Sequence, residues 1–202
     1  MKAEVFRLMF QTGKLSNLLC LLFFMAILAS QPTTAAAESS DSKHSTGLMV
    51  GQVWPSGELG KDVDGNVAPG IFYEYAASDI FSLYSNAIHS SHSNEKLKML
   101  STDLGIKANL VYYDKLSPYA LLGMGLYFVN KKVGATQEEA EATLFGFNLG
   151  LGADLDLSEY FYMGMIFSIH NMFSKTISLP LNGNTELSGR WTGFFLRGGV
   201  RF

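Results

Sequence analysis

Residues Phe145–Asp156 read FGFNLGLGADLD and divide into two unlike sets. Phe145, Phe147, Leu149, Leu151, Ala153 and Leu155 form one set; Gly146, Asn148, Gly150, Gly152, Asp154 and Asp156 form the other. An alternation of period two marks a β-strand with two different faces, because successive side chains leave the backbone on opposite sides. Its length of about eleven residues suits a tilted strand crossing a bilayer, whereas soluble strands usually run about five or six. Leu100–Leu110 (LSTDLGIKANL) repeats the pattern, with Leu100, Thr102, Leu104, Ile106, Ala108 and Leu110 against Ser101, Asp103, Gly105, Lys107 and Asn109. The polar face is mostly Gly, Asn, Asp and Ser. A water-exposed sheet face would carry more Lys, Glu and Thr, whereas small polar residues suit the crowded interior of a narrow barrel.

Composition agrees. The chain is 48% apolar, with 15 Phe and 9 Tyr, yet after Ala37 no apolar run is long enough for a membrane helix. Two architectures fit: a soluble β-sandwich or lipocalin-like barrel, or a closed barrel with its apolar face turned to lipid. The strand pattern selects the second. The net charge of −3 leaves no footprint for nucleic acid.

The N-terminus reads as an export signal. Lys2, Arg7 and Lys14 precede the twelve-residue apolar run Leu18–Ala29, which is too short to span a bilayer as a helix. Ala35-Ala36-Ala37 before Glu38 fits the cleavage pattern. The expected organisation is a signal peptide at 1–37, a short segment at 38–45 and a barrel at 46–202. Cys20, the single cysteine, falls in the apolar run, so the exported part has no thiol for a disulfide or metal site. Leu18-Leu19 before Cys20 makes a poor lipoprotein site.

Eight strand segments are expected: Thr46–Trp54, Val67–Ala76, Ile80–Ser90, Leu97–Val111, Pro118–Asn130, Thr143–Asp156, Tyr160–Phe173 and Leu187–Phe202. Short connectors (Ala77–Asp79, Tyr112–Ser117, Leu157–Glu159) alternate with mostly longer ones (Pro55–Asn66, Ser91–Lys96, Lys131–Ala142, Ser174–Glu186). That asymmetry is expected of an outer-membrane barrel, with periplasmic turns and extracellular loops. In the last segment Phe194, Leu196, Val200 and Phe202 fall on the lipid side with Thr192, and Trp191, Phe195, Arg197 and Arg201 on the lumen side. A terminal aromatic residue closing such a strand resembles the signal read by the outer-membrane assembly machinery, an expected partner.

PYALLGMGLYF (Pro118–Phe128), FGFNLGLGADLDLSEYFYMG (Phe145–Gly164) and FLRGGVRF (Phe195–Phe202) resemble the small outer-membrane β-barrel superfamily that includes outer-membrane protein W and the opacity-type proteins. The resemblance implies an all-β, eight-stranded antiparallel up-and-down transmembrane barrel, assembled from the periplasm. It implies roles from passive uptake of small hydrophobic compounds to adhesion or structural support. Outer-membrane lipid and lipopolysaccharide are the expected surroundings; the oligomeric state is left open.

Glu74, Asp103, Lys107, Asp154, Arg197 and Arg201 fall on the lumen side, with Asp156 near a periplasmic turn. A basic residue facing lipid near the midplane costs about 2–4 kcal/mol, so these charges should point inward and pair. They could line a conduction path or form an ionic plug. An eight-stranded interior is just wide enough for its own side chains, which favours the plug.

No catalytic, cofactor or metal residues are expected. HSSHSN (His89–Asn94) resembles the His/Ser pairing of outer-membrane lipid A deacylases, which use a Ser nucleophile and a His base. It lies on an early loop rather than a late strand, and His170, followed by Asn171-Met172-Phe173-Ser174, does not restore the motif. An enzyme of that kind is the second functional reading and a soluble lipocalin-like binder the third. KDVDGN (Lys61–Asn66) begins like a calcium loop, but Tyr73 stands where the twelfth-position Glu would be, and Asp-Gly is ordinary turn chemistry. QEEAEA (Gln137–Ala142) contains good helix formers and suggests one helical turn. The Gly-x-Gly strings sit inside strands, away from any phosphate-loop context.

Overall fold

The computed structural model describes residues 43–202 apart from 94, 112–113, 135–137 and 181–182. The expected signal peptide, its cleavage site, Cys20 and most of the 38–45 segment lie outside the described residues.

Eight antiparallel strands close into one barrel in sequence order, with β1 pairing both β2 and β8. They are β1 (His44–Ser56), β2 (Asn66–Ala76), β3 (Phe81–His92), β4 (Leu97–Asn109), β5 (Leu116–Val133), β6 (Glu138–Asp156), β7 (Phe161–Leu179) and β8 (Gly183–Arg201). All eight expected segments are present. Closure removes the free edges that an open sheet would leave unpaired in lipid.

The strand faces follow the sequence parity. Leu48 (69% exposed), Leu104 (65%) and Leu151 (63%) point outward, while Met49, Asp103 and Gly150 point in. This inverts a lipocalin, whose outer face is polar, and the soluble reading is thereby overturned. Aromatic rings band the outer face at both ends. Phe81, Tyr160, Phe161 and Phe202 stand near the end that carries the short turns and termini. Trp54, Phe128, Phe145, Phe147 and Phe173 stand toward the other, the loop end. Such girdles mark the two membrane interfaces of an outer-membrane barrel.

Two connectors differ from expectation. The reading of Lys131–Ala142 as a loop with a helical turn is incorrect where the chain is described: Glu138–Ala142 is strand, in register with Val133–Val129. Helix propensity is weak against a preformed neighbouring strand, and Ala140 and Leu144 keep the inward alternation there. Likewise Lys175–Leu179 pairs with Leu187–Gly183 beyond a bulge after Met172. The β5–β6 and β7–β8 hairpins therefore rise past the apolar band as polar-faced strands. No lipid-facing alternation exists there to reveal them.

Candidate functional site

A lumen between eight strands gathers the inward residues of alternate strands into layers. The layer nearest the termini is ionic. Glu74 (β2), Lys107 (β4), Asp154 (β6) and Arg197 (β8) come from every second strand and are all buried. Lys107 Nζ lies 3.0 Å from Glu74 Oε2 and 2.6 Å from Asp154 Oδ2. Arg197 Nη2 lies 2.7 Å from Glu74 Oε1, and its Nε 3.3 Å from Asp154 Oδ1. Each cation touches both carboxylates and each carboxylate both cations, so the ring is closed and neutral.

Aromatic rings pack the remaining space. The Arg197 guanidinium carbon stands 4.1 Å from the Phe72 centroid, and Lys107 Nζ 4.3 Å from that of Tyr119. Such contacts attract a desolvated cation to the ring face. Arg197 Nη2 also donates to Tyr162 Oη (3.0 Å), whose hydroxyl donates to Ser45 Oγ (3.2 Å).

Of the six residues expected to share one network, the structure brings four together. Arg201 stands apart near the termini, half-exposed, with Nη2 2.6 Å from Asp156 Oδ1. Asp103 sits four residues up β4 from Lys107, roughly 13 Å along an extended strand, and joins a different layer.

That second layer is a hydrogen-bonded polar cluster. Asp103 Oδ1 accepts from Tyr127 Oη (3.1 Å) and from Asn148 Nδ2 (3.0 Å), while Tyr84 Oη donates to Asn148 Oδ1 (2.5 Å). His170 stacks on Trp191 with centroids 3.5 Å apart and planes 11° from parallel. Its Nδ1 is 3.0 Å from Tyr127 Oη and 3.6 Å from Asp103 Oδ1, and its Nε2 is 3.2 Å from Ser168 Oγ. Tyr127 Oη donates its hydrogen bond to Asp103, so it accepts from His170 Nδ1–H. Between the two layers is a cavity with about 10 Å³ for a water centre, roughly one molecule, lined by Asn86, Asn148, Ser168 and His170 opposite Met49 and Phe195.

Tyr84, Tyr127, Asn148, Ser168 and His170 were not expected as site residues. Their parity on the strands was the available signal, since each occupies a lumen position.

Ser168, His170 and Asp103 have the order of a nucleophile–base–acid set. All three are buried in the lumen. The described residues of HSSHSN do not converge on one face. His89 is exposed on the outer face while Ser90 and His92 are buried on the inner one, and Ser93 Oγ accepts from the Asp64 N–H (2.9 Å). No group of three or more His, Cys, Asp or Glu side chains could hold a metal ion among the described residues.

Above the polar cluster the lumen is mostly apolar, with Ser90 and His92 buried among the apolar side chains. Val53, Leu97, Met99, Val129, Leu144 and Leu187 fill it, and Leu59 from the β1–β2 loop enters from above, 1% exposed.

A family model described as outer membrane protein β-barrel domain matches residues 20–202. Among solved structures, Neisserial surface protein A superposes with a TM-score of 0.61 at 13% identity, covering 82% of this chain and 100% of that one. The N-terminal β-barrel domain of Pseudomonas aeruginosa OprF gives 0.54 at 14% identity, covering 79% and 98%. Outer membrane protein H (OprH) of P. aeruginosa gives 0.53 at 16%, covering 79% and 99%. At these identities the likeness is one of fold. No curated protein matches the sequence.

Proposed function

Because the chain belongs to the outer membrane protein β-barrel domain family and is an integral protein of the bacterial outer membrane, we propose that it is a non-enzymatic barrel whose lumen is closed by its own side chains. The closed ring of Glu74, Lys107, Asp154 and Arg197 carries this reading. Each charge in it already has two counter-charges within 3.3 Å, so an ion entering would have to displace a neutral set. Aromatic rings pack around it, and a mostly apolar layer lies above, which supports the same reading.

On this reading the short turns and termini face the periplasm and the loop end faces outward. The protein then acts through its surfaces, as a structural element or an adhesive platform, with lipid and lipopolysaccharide around the girdled band. The outward row Phe194, Leu196, Val200 and Phe202 on and beside β8 is the surface we assign to the assembly machinery. Passage of small hydrophobic molecules would require both lumen layers and the apolar cap to part, which makes any conduit slow.

In planar bilayers the purified protein is expected to give no stable single-channel steps; steps in the nanosiemens range would overturn the closed lumen. A second measurement addresses enzymatic function. Lipid A from cells with and without the protein should have identical mass spectra, and loss of one acyl chain would instead establish a deacylase.

A further inference from the structure

The β1–β2 loop, residues 57–65, is fixed over the mouth at the loop end by contacts with four other segments. Leu59 fills the top of the apolar layer, and its N–H donates to the Ser188 carbonyl (3.0 Å). Lys131 Nζ on β5 donates to the Glu58 carbonyl. The Asp64 N–H donates to Ser93 Oγ in the β3–β4 turn. The fourth contact is to His92, the last residue of β3, fully buried beneath the loop, whose Nδ1 lies 2.9 Å from the Asp64 carbonyl oxygen.

This last contact fixes the ring's protonation. A carbonyl oxygen only accepts, so His92 Nδ1 must carry the proton and donate. In the neutral ring Nε2 is then a bare lone pair, and it is buried with no partner among the described residues. Adding a proton there would create a buried cationic N–H with no acceptor among the described residues, which is far costlier than a buried lone pair.

From these contacts we infer that the 57–65 loop is an acid-released cap on the barrel's outer mouth, with His92 as its trigger.

The charged groups on the surrounding elements do not offset that cost. The loop carries Glu58, Lys61, Asp62 and Asp64; the β3–β4 turn and β4 carry Glu95, Lys96 and Lys98; β5 carries Lys131 and Lys132. Glu95 is already paired with Lys98 at 3.0 Å. Among the described residues no carboxylate pairs with His92. His92 lies among loop and turn atoms beyond the lipid-facing band, and burial there lowers its pKa from the ordinary 6.5. The sign follows from linkage: a group held neutral in the closed state favours closure fully above about pH 6.5, and the preference weakens as pH falls below it. Once the loop lifts, water accepts from Nε2–H and the ring charges freely.

The proposal depends on the barrel reading but not on a sealed lumen, since the ionic ring below can stay closed while the cap moves. The test uses the full chain with Cys20→Ser and a nitroxide on Lys61→Cys, an exposed loop position, in lipid vesicles. The mobile spectral fraction should rise at least threefold from pH 8 to pH 5. His92→Gln, which keeps a donor and cannot titrate, should abolish that rise. A flat wild-type profile would overturn the proposal, as would an unchanged acid response in His92→Gln. Should His92→Gln fail to fold, Ser93→Ala supplies the check: it loosens the cap at pH 8 yet must retain the acid-dependent rise, and its loss there would also overturn the trigger.

Discussion

Arg197→Met is expected to lower the unfolding free energy of the barrel by about 3–5 kcal/mol, the usual cost of leaving a buried charge without its partner. The guanidinium touches Glu74 at 2.7 Å and Asp154 at 3.3 Å, and the residue is 4% exposed. Methionine restores much of the volume, so the loss reports charge rather than a void. Lys107 would remain alone between two carboxylates, giving the layer a net negative charge with no water to screen it. Urea unfolding in lipid vesicles measures the effect. Adding Glu74→Gln should recover most of the loss, because the Lys107–Asp154 pair at 2.6 Å then remains as a neutral unit. A double variant as unstable as the single one, or a single variant costing under about 1 kcal/mol, would contradict the ring as the organising feature of the lumen.

The second large effect lies at the seam where β1 meets β8. A Cβ placed on Gly47 would stand 2.1 Å from the Gly198 carbonyl oxygen and 2.7 Å from Gly199 Cα. Gly51 meets the Phe194 carbonyl oxygen at 2.1 Å and Phe195 Cα at 2.7 Å. These obstacles are backbone atoms held in the ladder, and they can yield only if the seam opens. Gly47→Ala should therefore exceed the ~1–3 kcal/mol typical of overpacking. On a detergent gel it should lose the compact band that unheated outer-membrane barrels show. Gly198→Ala is the control, since a Cβ there meets nothing within 4 Å. It should leave the band intact, and restricting the unfolded chain would even add roughly 0.4–1 kcal/mol. Equal damage from both substitutions would refute the seam argument.

Parity puts Gly198 in the outward row of Leu196 and Val200 and Gly47 on the inward side, but only the register Leu48↔Gly198, Gly47↔Gly199 shows that a Cβ on Gly47 would meet a neighbouring backbone. The ionic layer was partly legible for a related reason. Parity along each strand assigns Glu74, Lys107, Asp154 and Arg197 to the inside, and all four are buried. Parity carries no height, however, and height depends on the stagger between strands. That stagger separated Asp103 into the polar cluster and left Arg201 with Asp156. The cap was not legible: Leu59 and His92 lie in segments without periodicity, and their meeting is a contact between distant parts of the chain.

By itself the sequence determined that this chain forms an eight-stranded barrel, and which face of each strand meets lipid. Alternation is a local property, and the bilayer enforces it at a cost of a few kcal/mol for each misplaced charge. Only the tertiary structure decided which inward residues touch, where the closing seam is tight and what covers the mouth. Those depend on register across a closed ring of strands, where residues 123 positions apart, Glu74 and Arg197, come within a hydrogen bond of one another.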